Sequence, residues 1–276
     1  MTRSVADAAI TVLETAQARD KAAAAHQCAA AWWAGELDLG AASTAIPDRP
    51  ARPARPVLVA PSQVPRRRLH SPAGRIALLH ALAHIEFNAI DLAFDLVARF
   101  AADPLIADAR RQDFVSDWIT VGDDEARHFG MVADRRAGLG AAYGDHGAHD
   151  GLWDAALATR DHLAARLAIA PLVLEARGLD VTPGMIDRLT AAGDRESACI
   201  LRIIYNEEIG HVAAGARWFS HVCAAQSRDP AGYFRELVAR YFRGHLKPPF
   251  NDAARQRAGL PPDFYQTLTE TGSALA

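Results

Sequence analysis

Four stretches of this sequence have the apolar spacing of long helices, and each sets a carboxylate within its own apolar stripe. In the first, Leu79, Leu82, Glu86, Ala89, Ala93 and Val97 recur at spacings of three and four. The second stripe is Trp118, Val121, Glu125, His128 and Val132, and the third is Ala164, Leu167, Pro171 and Glu175. The fourth is Leu201, Ile204, Glu208, His211, Gly215 and Trp218. Residues three and four apart share one helical face, so each acid points where Leu or Val belongs. A buried, unpaired carboxylate costs several kcal/mol even after relaxation. Four of them in one core take up protons or unfold the chain unless positive charge meets them.

Two of the four helices add a histidine three residues after the acid, at Glu125/His128 and Glu208/His211. That spacing stacks both side chains on one face, about one turn apart, within reach of a single ion. The chain thus repeats one plan twice, a Glu helix followed by a Glu-x-x-His helix. This is the ligand plan of dinuclear carboxylate sites in helical bundles. The expected metal ligands are Glu86, Glu125, His128, Glu175, Glu208 and His211, with no separate catalytic residue. Two divalent ions set four positive charges against four carboxylates and two neutral imidazoles, which leaves the site formally neutral. Mixed oxygen and nitrogen donors suit iron or manganese better than a thiolate-seeking metal. Two irons are the expected cofactor; manganese or a mixed manganese–iron pair are the alternatives, with zinc as a purification artefact.

Asp124 and Glu207 each precede a ligand acid, and ligating imidazoles usually donate their other N–H to a carboxylate. Arg127 is placed to pair with one of these acids. Tyr205, one turn before Glu208, is a further supporting candidate beside ordinary packing. Pro171, four residues before Glu175, frees the carbonyl of Leu167 and bends its helix. His80 and His84 fall on another face of their helix, in a polar stripe with Asn88, Asp91 and Asp95 that reads as solvated or as an interface. His146 and His149 read as loop residues at the end of the bundle.

The same periodicity sets the organisation. Residues 4–36 form an N-terminal helix, and Trp32 and Trp33 pack it on the rest, within a segment spanning 1–45. Residues 46–72 carry seven prolines and the basic run Arg66–Arg67–Arg68, and read as an extended strap. Ser71 and Pro72 start a long helix to about Phe100. Further helices are expected over 111–137 with Gly138 as C-cap, over 152–177 ended by Gly178, and over 194–226. Short helices follow Pro183 and Pro230, and the tail after 242 is irregular. No stretch alternates with period two, so no sheet is expected. The fold class is all-α: an antiparallel four-helix bundle over 73–226, with an extra N-terminal helix and a C-terminal segment, 227–276, of short helix and tail.

With 276 residues and half of them hydrophobic, the chain is long enough for one sizeable core. A formal net charge of −3 argues against nucleic acid or a membrane surface as partner. Three scattered cysteines make neither a disulfide framework nor a thiolate site, and the N-terminus lacks a continuous apolar run. No stretch reads as a bilayer span. A cytoplasmic protein is expected.

The residues already named resemble those of the ferritin-like superfamily of carboxylate-bridged di-iron proteins. "DDEARHFG" is similar to a motif of the acyl-carrier-protein desaturases. More closely, "SPAGRIALLHALAHIEFNAIDLAFD", "GDDEARHFGMV", "YGDHGAHDGLWDAA", "LVLEARGLDVTPGM" and "IIYNEEIGHVAAGARWF" resemble the bacterial ferritin-like family called domain of unknown function 455, and the tail "KPPFNDAARQRAGL" fits it too. The resemblance spans about residues 57–262 and implies a ferritin-like fold with the same six ligands. It supplies no substrate. A hydroxylase acting on a modified adenosine in tRNA is a more distant relative, and with Arg66–Arg68 it sets a minor reading as a tRNA-modifying enzyme. The leading expectation is an oxidoreductase that uses dioxygen on a small organic substrate, with an electron donor if it is an oxygenase. The alternatives are a ferroxidase or iron-handling protein and a metal-stabilised binding module without turnover. A homodimer is among the assemblies this reading allows.

Overall fold

The structure, a computed structural model, describes residues 3–64, 69 and 71–269; the basic run Arg66–Arg68 lies outside them. It is an all-α bundle. The N-terminal segment forms two helices, α1 (Val5–Glu14) and α2 (Ala18–Trp33), where the sequence pattern suggested one. Thr15 leaves the helix in extended backbone, φ −79° and ψ 113°, and the chain folds back so that α1 lies on the helix Pro72–Phe100 and α2 on the helix Arg111–Gly138. Trp32 is buried and its indole donates to Ser116 Oγ at 3.0 Å, whereas Trp33 is exposed. One small element was not expected: Arg3–Ser4 (β1) pairs in parallel with Leu37–Asp38 (β2).

The bundle consists of α3 (Pro72–Phe100), α4 (Arg111–Gly138), α6 (Leu163–Ile169) continued by a π-turn (Ala170–Glu175) into α7 (Ala176–Ala191), and α8 (Arg195–Ala225). A short helix, α5 (Gly151–Ala158), precedes α6. Helix α3 packs along α4, α7 along α8, and α4 against α8. Ser71 caps α3 by accepting from the Gly74 amide at 3.1 Å, and Asp194 caps α8 by accepting from Ser197 N at 3.2 Å. Gly138 stays helical; the left-handed residue that closes α4 is Gly140, φ +76°. Gly178 and Pro183 both lie inside α7, so neither the expected stop nor the expected new start occurs. The helix persists because its apolar residues Leu179, Ile186 and Leu189 are held in the core, which outweighs local propensity. Helices α9 (Pro230–Tyr241) and α10 (Asp252–Arg257) complete the fold, α10 falling within the tail read as irregular. Helix α3 has the length and mean hydropathy (1.3) of a membrane span, contrary to expectation, and most of that stretch is buried inside the bundle.

The polar stripe of α3 is an internal interface. His80, His84, Asn88, Asp91 and Asp95 are all buried. His84 meets the Tyr143 hydroxyl at 2.9 Å and the His149 carbonyl at 3.1 Å, which seats the 139–150 loop. His80 packs beside the His146 ring, with centroids 5.3 Å apart. Arg52 of the proline-rich strap donates to Asn88 Oδ1 at 2.6 Å, and Lys21 of α2 pairs with Asp91. Arg166 of α6 pairs with Asp95, and Arg99 holds its other oxygen at 2.7 Å. The strap, the N-terminal helices and α6 are thus fastened to one face of α3, leaving its other face to the centre of the bundle. The sequence shows the stripe but not the chain that covers it.

Two outcomes follow from this interface. Lys21→Met leaves the fully buried Asp91 with Arg52 alone, 3.9 Å away, and is expected to cost about 3 kcal/mol in urea unfolding. Lys21→Met/Asp91→Leu should restore much of that loss. The second concerns His80, whose Nε2 accepts from Gly144 N at 3.1 Å. Burial, aided by Arg136, pushes its pKa down from 6.5 to about 3. The unfolded chain therefore takes up this proton at a higher pH than the folded one, so the stability His80 contributes above its unfolded pKa is lost as pH falls toward the folded value. The melting temperature should decline over that window, and His80→Gln should make the decline shallower.

Candidate metal centre

The four stripes meet. Helix α3 contributes Glu86, α4 contributes Glu125 and His128, the π-turn ends on Glu175, and α8 contributes Glu208 and His211. Glu86, Glu125, His128 and Glu208 each bring one potential ligand atom into a cluster whose members lie within 4.8 Å of one another. His211 Nδ1 joins it, 3.0 Å from Glu125 Oε1 and 3.6 Å from Glu208 Oε1. His128 Nδ1 lies 3.6 Å from both Glu86 Oε2 and Glu125 Oε2. Glu125 therefore touches both halves of the cluster, one carboxylate oxygen toward each imidazole. Glu175 is half-buried, its electrostatic neighbours are Glu208, Glu125 and His211, and its Oε2 is buried without a hydrogen-bond partner.

Both imidazoles present Nδ1 to the acids and turn Nε2 outward. His128 Nε2 lies 2.6 Å from Glu207 Oε2, and His211 Nε2 lies 3.3 Å from Asp124 Oδ2. Each supporting acid comes from the opposite helix, Glu207 on α8 for the α4 histidine and Asp124 on α4 for the α8 histidine. Arg127 Nη2 ties the two acids together, at 2.7 Å from Asp124 Oδ1 and 2.8 Å from Glu207 Oε2. An N–H donated from Nε2 to a carboxylate leaves the Nδ1 lone pair free for the interior. Tyr205 departs from the sequence expectation: its hydroxyl accepts from Asn251 Nδ2 at 3.0 Å, so it anchors the loop before α10 rather than supporting a ligand.

Charge is crowded here. Burial raises the pKa of Glu86 and Glu175 well above the usual carboxylate range, and the neighbouring acids Glu125 and Glu208, respectively, add to it. Burial likewise raises Glu208, with Glu125 adding to it. Burial opposes ionisation of Glu125 too, but the His128 and His211 imidazoles beside it outweigh burial and hold that carboxyl low. Burial disfavours a charged His128, yet Glu125 and Glu86 push it up to about 11. On its own, then, the cluster drives Glu86, Glu175 and Glu208 toward protonation while Glu125 stays ionised. The same residues fit divalent cations. Glu125 Oε2, His128 Nδ1 and Glu175 Oε2 are buried with no hydrogen-bond partner. The 3.6 Å separations are long for hydrogen bonds but match two donors that share an ion at about 2.1 Å from each.

The π-turn sets the approach of Glu175. Pro171 has no N–H to continue the α-helical ladder, and the chain widens there into six residues of π-helix that restart as α7 directly after Glu175. Gly215, one turn beyond His211, leaves room for the widened turn: a Cβ there would lie 2.5 Å from Pro171 Cβ. The signal in sequence was a glycine inside an apolar stripe, which often marks close backbone approach. Gly215→Ala should cost about 1–3 kcal/mol in denaturant unfolding by overpacking against Pro171. Gly210→Ala, whose added carbon meets open space in the same helix, should be neutral or stabilising.

The family described as protein of unknown function (DUF455) matches residues 14–266. An uncharacterised protein of Haemophilus influenzae is 41% identical over 208 residues, covering 75% of this chain and 72% of the relative. No solved structure matches the chain.

Proposed function

The chain belongs to the DUF455 family, and from that premise we propose that Glu86, Glu125, His128, Glu175, Glu208 and His211 bind two divalent ions, read as iron, in a ferritin-like centre serving an oxidoreductase that uses dioxygen. The observation that carries the reading is the set of buried, unpartnered donor atoms on Glu125, His128 and Glu175, beside a cluster that crowds acids and imidazoles together. Such a pair of ions, when bound, supplies electron transfer to dioxygen and thereby oxidation of a bound organic substrate.

The chain's own part is to hold and orient. Glu207 and Asp124 fix the two imidazoles with Nδ1 inward, and Arg127 locks both acids against rotation. Glu125 would hold the pair together from the middle of the cluster, since it lies against both imidazoles. Glu86, Glu125, His128, Glu208 and His211 are all buried, so bulk water is kept from the cluster. A dry shell of this kind strengthens every charge interaction inside it.

The test is metal analysis of anaerobically purified protein, with optical spectra before and after exposure to air. The expected result is about two equivalents of metal, with an absorption change in air if the metal is iron. Glu125→Ala should lose at least one equivalent and that spectral change. Metal content unchanged in the variant would sink the assignment, and a metal-free wild type that rebinds none would do the same.

A further inference from the structure

The π-turn has a second side. Val173 and Leu174, directly before Glu175, form part of the wall of a surface trough. A cavity of about 600 Å³ lies between α5 and the segment after α9, and a second of about 340 Å³ continues it over the start of α7. They share Leu174, Phe242 and Gly244, so they form one continuous trough. Its floor is apolar, with Leu246 and Phe250 joining Leu174 and Phe242. A volume of this size suits a small organic molecule.

The charge along the trough is one-sided. Its acids are already engaged: Asp154 by Arg49 at 3.1 Å, and Asp180 by Arg255 at 2.7 Å. Its cations are not all so engaged. Among the described residues, the side chains of Arg243 and Lys247 make no hydrogen bond or ion pair, and both are exposed, Arg243 lining the first cavity and Lys247 the second. A neutral apolar ligand would leave those cations unused, and a small inorganic anion would leave the floor in water. The complementary occupant carries an apolar body and one anionic group.

We propose that this trough binds an amphipathic organic monoanion, its apolar body on Leu174, Phe242 and Phe250 and its carboxylate at the cationic lining that Arg243 and Lys247 supply. The occupant rests on the same turn that ends in Glu175, so its binding bears on the position of that acid. The site is built from residues outside the six of the cluster, and its occupancy needs no metal.

The experiment is displacement of the fluorescent probe 8-anilinonaphthalene-1-sulfonate by decanoate, decanol or acetate, on protein as purified and again after chelator treatment. Decanoate is expected to displace the probe about tenfold better than decanol, with acetate ineffective, with and without metal. In Arg243→Gln/Lys247→Gln, decanoate should weaken to the level of decanol while decanol is unchanged. Both positions are exposed, so the fold should survive, as near-UV circular dichroism would verify. Equal displacement by decanoate and decanol, effective displacement by acetate, or an undiminished double variant would each overturn the proposal. Binding that survives metal removal separates this site from the metal reading, so either can fail alone.

Discussion

Four carboxylates and two imidazoles share one buried volume, and the rest of the fold is arranged around keeping that tolerable. No single helix can neutralise its own buried acid. The acids become tolerable only in company, through the histidines that lie between them. Glu125 is the hinge of this balance. It is fully buried, it touches both imidazoles, and it stays ionised where its neighbours are driven toward protonation. An arrangement of that kind needs its backbone held rigidly on every side, because a shift of one side chain leaves another charge bare.

The surrounding structure provides that rigidity in two ways. Inside, Arg127 cross-links Asp124 and Glu207, which in turn orient the two imidazoles from opposite helices. Outside, the second polar stripe of α3 fastens the N-terminal helices, the proline-rich strap and the 139–150 loop through Lys21, Arg52 and His84. Helix α3 is therefore clamped from both faces, with Glu86 on one and Asp91 on the other. These two polar systems are of different kinds. The outer one is closed, with most of its hydrogen-bonding groups partnered within the chain. The inner one leaves oxygen and nitrogen lone pairs open, and that difference is what separates a structural network from a candidate site.

The π-turn links the cluster to the periphery. Pro171 forces the widening, Gly215 makes room for it, and Glu175 emerges at its end with one oxygen unpartnered. Its other side lines the apolar trough, whose Arg243 and Lys247 are unpaired among the described residues. One irregular turn thus serves both a candidate ligand and a candidate binding surface, consistent with the frequent occurrence of π-turns at functional sites.

The sequence by itself determined the bundle class, the four stripes and the identity of the acids and histidines on them, because period and residue type are local properties. It also showed Asp124, Glu207 and Arg127 next to the ligand positions, though not that one guanidinium would join both acids. Tertiary structure decided what local signals cannot carry. Helix α7 runs through Gly178 and Pro183 because its core contacts outweigh propensity. The polar stripe of α3 is covered rather than solvated because chain distant in sequence lies on it. Tyr205 turns to Asn251, an accident of which loop packs nearby. Periodicity says which side chains share a face; only the packing of faces says what each one meets.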